Sequence, residues 1–229
     1  MDIQDHRPRV AAERRERMRS RLLGTALQLV AERGPAALSI DDVIAGAEVS
    51  RGTFYKYFPS PDALVREVAF SLAADLVQLA DPVVRLRDDP AERVACGIRL
   101  VARLALHHPA AAGFLVQLGW PDTESDNVLL AYVRRDVEEG IRRGRFREMP
   151  VSLALNMVSG AVMGAIHCML KPACARDFAE LSAAAALRAL GLPAKSADAV
   201  AFKPLEPMTD FPQGLLSATS PATDGLDLP

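Results

Sequence analysis

With 229 residues, half of them hydrophobic, the chain can form a sizeable folded core, which excludes disorder as its default state. Aromatic residues make up only 5%, alanine and leucine are abundant, and no run of alternating β-branched residues occurs; an all-α fold follows and a sheet protein is excluded. The formal net charge of −2 excludes attraction of the whole molecule to a polyanion, and the sparse cysteines Cys96, Cys168 and Cys174, with no apolar leader in MDIQDHRPRV, predict a reducing, cytoplasmic compartment.

The average charge conceals a basic start, with seven arginines against two acids between Arg7 and Arg21. From about Glu13 to Arg33 the apolar positions Met18, Leu22, Ala26, Leu29 and Val30 repeat at helical spacing, and Gly34-Pro35 ends the helix. On a helix, Arg14, Arg17 and Arg21 fall within about 60° of one another, so they can face one phosphate backbone together. Ser39-Ile40-Asp41-Asp42 carries a capping hydroxyl and acids for a short helix through about Ala45, and Ser50 caps a second through about Lys56. Two short helices joined this tightly make a helix-turn-helix unit.

Ser60-Pro61-Asp62 opens a longer helix to about Ala80, where Asp81-Pro82 is expected to close it. Further helices are expected from Asp89 to His107 or His108, from Pro109 to Gly119, from about Ser125 to Arg143, across the uncharged run after Pro150, and from about Ala175 to Leu190. The uncharged run, Val151 to Leu170, is about long enough to cross a bilayer, but Ser152, Asn156, Ser159 and His167 recur in it, so a buried core or interface helix is the reading and no membrane is expected. Beyond Leu192 lie six of the sixteen prolines, and helical periodicity fades; a mobile tail over 193–229 is expected, with Phe202, Phe211, Leu215 and Leu216 able to dock.

A helix of about seven residues is only about 10 Å long, short enough to enter a major groove end-on. Arg51 can donate to a guanine edge, Thr53 can meet a thymine methyl or a phosphate, and Gly52 lets the backbone approach. Tyr55, Lys56 and Tyr57 add donors for phosphates, while Phe54 and Phe58 are packing residues. The run Ser39 to Phe58 followed by Ala63-Leu64, with its Val-Ser-x-Gly-Thr-x-Tyr-x-Tyr-Phe core at 49–58, resembles the TetR family of transcriptional regulators over roughly the first 65 residues.

The resemblance implies a three-helix DNA-binding domain with a basic extension, assigned to residues 1–60, and an effector-binding and dimerisation bundle, assigned to 61–192; the helix count read from the residues above, about nine, is similar to the family's. Operator contacts are then expected from Arg14, Arg17, Arg21, Ser39, Ser50, Arg51, Gly52, Thr53, Tyr55, Lys56 and Tyr57. It further implies a homodimer on a palindromic operator and repression relieved by a small molecule. Three positions depart from the pattern: Ile44 where alanine is usual, Glu48 where a turn glycine is common, and Pro61 where a lysine often stands. Glu48 would be strained in a left-handed conformation, and Glu48 and Pro61 together motivate a rival, a helical ligand- or partner-binding protein whose DNA head has lost its function.

Candidate linings of an effector cavity are Phe70, Leu104, His107, Phe114, Leu118, Trp120, Met157, Met163 and His167. Gly160, Ala161, Gly164 and Ala165, with Ala183 and Ala186, form small-residue faces; the residues alone leave burial within one subunit open, and the resemblance favours a dimer interface. His107-His108 and His167-Cys168 lack zinc spacing, and no nucleophile elbow, phosphate-cradling loop or dinucleotide fingerprint occurs. No enzyme, metal or cofactor is therefore expected.

Overall fold

The computed structural model describes residues 6–119, 127–205 and 214–218, without the side chains of residues 6–8 and 104–106. Eleven α-helices and no strand occur among the described residues: α1 His6–Arg33, α2 Ile40–Gly46, α3 Arg51–Tyr57, α4 Pro61–Val84, α5 Pro90–His107, α6 Pro109–Leu118, α7 Val128–Arg142, α8 Val151–Met169, α9 Phe178–Ala189, α10 Ala194–Ala201 and α11 Leu215–Ala218. Helix α1 begins earlier than the apolar stripe predicts, and Arg9 and Glu13 pair one turn apart along its exposed start.

Local caps set the head. The Ser39, Ser50 and Ser60 hydroxyls each accept the backbone N–H three residues on, at 3.1 Å, and start α2, α3 and α4. Glu48 turns the chain between α2 and α3 with φ 49°, the left-handed conformation its position demands. Gly46 lets α2 close on α1, since a Cβ there would lie 2.8 Å from Thr25 Cγ2. Leu22, Ala26 and Val30 of α1, Val43 of α2, Phe54 of α3, and Leu64 and Val68 of α4 are all shut from solvent in one core. That core continues into the body through Ala111, Ala112 and Phe114 of α6, which packs along α1.

A second core joins α5, α7, α8, α9 and α10 around Ile98, Val137, Ala154, Leu187 and Ala197. The uncharged helix α8 is long and apolar enough to cross a membrane by length and composition alone; here it buries Leu155, Val158 and Ile166 among its neighbours α5, α6, α7 and α9. Pro82 does not close α4, which runs one turn further. Val84 and Ala80 pack against Cys96 and Leu100 of α5, and Arg85 N–H still reaches the Asp81 carbonyl at 2.9 Å.

The expected tail is in part folded. Helix α10 buries Ala197, Val200 and Ala201 against α9 and α5, a one-turn apolar face too brief to stand out in a proline-rich segment. Past it, Phe202 stays exposed while Leu215 and Leu216 of α11 are buried in the head's core against α4; Phe211 lies outside the described residues. The Asp75 carboxylate of α4 accepts the Leu216 N–H at 3.0 Å, and His108 hydrogen-bonds the Leu216 backbone.

Three of the six expected interface residues are unavailable to a partner. Ala165, Ala183 and Ala186 are 1%, 0% and 3% exposed inside the subunit, because the alanine faces of α8 and α9 are what let these helices close on the rest of the bundle. Gly160 and Ala161 are half-buried and Gly164 is exposed.

Candidate operator-binding head and ligand cavity

Helix α3 buries Phe54 and turns Arg51, Gly52, Tyr55 and Lys56 outward. Tyr55 stands 49% exposed with its ring edge-on to Phe54, centroids 5.4 Å apart, so packing against Phe54 helps to fix its direction at the surface. An open groove between α1 and α3 is lined by Val10, Ala11, Arg14, Arg15, Met18, Thr53, Lys56 and Tyr57. It brings together Arg14, Thr53, Lys56 and Tyr57 of the expected contacts and adds Arg15, visible in the sequence only as one arginine of a run.

The remaining expected contacts surround this groove with defined partners. Ser39 and Ser50 spend their hydroxyls on caps, and the Ser50 hydroxyl also lies 2.9 Å from that of Thr53. Arg17 donates to the Glu13 carbonyl. Arg21 pairs with Glu48 at 2.9 Å and Arg51 with Asp41 at 2.5 Å, both on exposed surface. Such pairs are weak in water and screened by salt, so a phosphate or a guanine edge can displace the carboxylate. The Ser39 hydroxyl, against the opposing effect of burial and with help from Arg33, holds the Asp42 carboxyl below its usual range.

The body contains a cavity of about 480 Å³ between α4, α5, α6, α7 and α8, a size suited to a small organic molecule. Its wall is mostly aliphatic, with Leu76, Val77, Ile98, Val101, Leu130 and Ile166 among the lining. One end is polar. Asp136 of α7, only 4% exposed, receives Arg135 through two hydrogen bonds of 3.0 and 3.1 Å, and Arg135 also reaches Asp81 at 3.0 Å. Hydrogen bonds to Asp136 and Asp81 raise the Arg135 guanidinium further above its usual range against burial, and the same group lies 5.1 Å from the Tyr132 ring centre. Arg93 of α5 donates to Glu139 at 2.7 Å; its buried Nε sits 2.9 Å from Asp136 Oδ1 yet is too poorly aimed for a hydrogen bond, which leaves that N–H without an acceptor.

Of the nine expected linings, Leu118 and Met163 face this cavity. Phe70 is 59% exposed on the outer side of α4, Phe114 is enclosed in the head's core, and the His107 ring is bound to the Arg103 carbonyl at 2.8 Å. Met157 is half-buried off the cavity and His167 is exposed, while Trp120 and the side chain of Leu104 lie outside the described residues. Helical spacing marks a side chain as inward without saying which inward neighbour it meets. The missed polar end did leave a signal: Asp136 falls on the stripe of Leu129 and Val133, a carboxylate where an apolar residue is due. Among the described residues, no three metal-ligating side chains come together.

A helix-turn-helix head joined through a shared core to a helical body with a largely apolar cavity defines a class of DNA-binding regulator. Residues 22–68 match the family model described as bacterial regulatory proteins, tetR family, and residues 89–203 match that of the tetracyclin repressor-like C-terminal domain. The chain belongs to the TetR family of helix-turn-helix transcriptional regulators, proteins that are not enzymes. It is 36% identical over 96 residues to the regulator EthR of Mycolicibacterium smegmatis, covering 40% of this chain and 42% of EthR. A second match, to an HTH-type transcriptional regulator of Mycobacterium tuberculosis, is 32% identical over 110 residues, 46% of this chain and 52% of that protein; the chain thus spans about half the length of the curated relatives it matches. Among solved structures, RolR in complex with its ligand resorcinol is 34% identical, covering 86% of this chain and all of that one, with a TM-score of 0.69.

Proposed function

We propose that this chain is a cytoplasmic homodimeric repressor that a small molecule releases from a palindromic operator. The observation that carries the reading is the groove in which Arg14 and Arg15 of α1 meet Thr53, Lys56 and Tyr57 of α3, which sets phosphate-directed cations beside a helix whose exposed Arg51 and Gly52 and partly exposed Thr53 can meet base edges once Arg51 exchanges its weak surface pair with Asp41. Two such heads sit in successive major grooves about 34 to 36 Å apart. The dimer contact belongs to the outward faces of α8 and α9, where Leu153, Gly164 and His167 and, on α9, Leu181 and Ala185 are exposed. This replaces the inward-facing alanines as the interface.

The effector of this reading is a compact, largely apolar molecule bearing hydroxyl-like groups. Its hydrocarbon part fills the aliphatic cavity, and an oxygen accepts the orphaned Arg93 N–H beside Asp136. A hydroxylated aromatic ring has this character, and RolR, similar over most of this chain, holds one of that kind. Helices α4 and α6 carry the signal. Leu115 and Leu118 of α6 line the cavity, while Ala111, Ala112 and Phe114 of the same helix pack in the head's core.

Titration of labelled genomic fragments over a range of salt concentrations tests the DNA half of the proposal. Selective binding with a steep negative slope of log affinity against log salt is expected, and absence of sequence preference at low salt would sink it. Adding a panel of hydroxylated aromatics to the protein–operator complex tests the effector half. Release by at least one compound is expected, with the same factor lost from that compound's affinity when operator is bound.

A further inference from the structure

We propose that Cys168 and Cys174 form a reversible intramolecular disulfide, which makes the connection between α8 and α9 a redox modification site. Cys168 occupies the last turn of α8. Beyond it the chain doubles back through two successive turns, with Lys171 N–H donating to the Cys168 carbonyl at 2.9 Å and Cys174 N–H to the Lys171 carbonyl at 3.1 Å. These turns set the two free sulfurs 2.8 Å apart. A disulfide bond measures about 2.05 Å, so the sulfurs need to close by less than about 1 Å.

Both thiols are half-buried, within reach of a small oxidant, whereas Cys96 is 1% exposed between α4 and α5. The Cys174 S–H is directed at the Cys168 sulfur, and burial together with this bond pushes the Cys174 thiol up to about 11; the accepting sulfur, that of Cys168, is assigned as the nucleophile. With hydrogen peroxide as oxidant, the Cys168 sulfur attacks one oxygen and the O–O bond breaks, giving a sulfenic acid while the departing hydroxide leaves as water with the thiol proton. The Cys174 sulfur then displaces the sulfenic hydroxyl, the S–S bond forms, and that hydroxyl leaves as a second water with the Cys174 proton. Two thiols lose two electrons, the peroxide gains them, and a dithiol reverses the bond by exchange. The bridge ties down the turn of α8 that follows Ile166, a residue of the cavity wall.

The test uses the full chain exposed to hydrogen peroxide, alkylated under denaturing conditions and digested with trypsin. Because trypsin does not cut between Lys171 and Pro172, both cysteines fall in one peptide, residues 148–176. The expected result is a peptide lighter by two hydrogens and carrying no alkyl group, fully restored by a dithiol, with Cys96 alkylated throughout. Cys174→Ser is expected to stop at a Cys168 sulfenic acid that a dimedone probe captures. The proposal is overturned if both cysteines remain alkylatable, if the bridge links two chains, or if wild-type Cys168 goes on to a sulfinic acid while Cys174 stays free.

Discussion

In the head, the groove between α1 and α3 takes its lining from two short stretches, Val10 to Met18 and Thr53 to Tyr57, whereas the cavity of the body gathers side chains from five helices between Val65 and Ile166. The charges differ in the same way. Arg51 and Asp41 pair with half or more of each side chain in water, whereas Arg93 and Asp136 pair with 12% and 6% exposed. A surface that meets a polyanion can keep its cations hydrated and loosely held, because binding itself supplies the counter-charge. Charges buried beside a largely apolar cavity must be neutralised within the protein, so these ion pairs belong to the fold as well as to the site.

The largest expected effect follows from this contrast. Arg93→Met leaves Asp136 and Glu139 with one cation fewer in a buried setting, though Arg135 and Arg143 remain beside them, and should lower stability by about 1.5–3 kcal/mol in urea unfolding; an unchanged midpoint would break the comparison. Arg51→Ala should do the reverse, weakening operator binding by about 5- to 150-fold and relaxing preference at one position per half-site, with the urea midpoint unmoved.

Acid should separate buried from exposed groups as well. Burial, with His107 nearby, holds the His108 imidazole below its ordinary range despite its bond to Leu216. The unfolded chain takes up a proton near pH 6.5 and the folded one only lower, so this contribution is complete above about pH 6.5 and is lost as pH falls toward the folded value. Urea midpoints should therefore drop from pH 7.5 to 5.5 in the wild type and drop less in His108→Gln; parallel slopes would count against it. Asp42, whose carboxyl is also held low, should register only below about pH 4, where the unfolded carboxylate begins to take up its proton. The smallest effect is that of Glu48→Gly, which relieves a left-handed conformation worth about 1 kcal/mol and frees Arg21. A slight rise in melting temperature and tighter operator binding at low salt are expected, and weaker binding would show that the Arg21 pair orients the arginine.

The head is legible in the sequence because its determinants are local. Ser39, Ser50 and Ser60 each announce a helix start three residues ahead of the N–H they cap, and Glu48 stands where the turn needs a left-handed residue. The cavity is not legible in this way. Phe70 and Phe114 both look like linings, yet one faces water and the other the head, because the assignment depends on how α4 and α6 rotate against helices far away in sequence. The same holds for Ala183 and Ala186, whose small size serves packing within the subunit. Helix α10 shows a further limit, since one turn of apolar spacing carries little signal among prolines.

The docking of α11 sets a timing for the newly made protein. Leu22 of the head's core is made early, but Leu216, which packs into the same core, follows roughly 190 residues later. At synthesis rates of about 5–20 residues per second the interval is on the order of 10 to 40 s. For most of that time, once α4 has been made, the surface that Leu215 and Leu216 will cover on it stands open on the ribosome, and Asp75 waits for the N–H it will accept. The part of the regulator that is first to be synthesised is thus among the last to be finished.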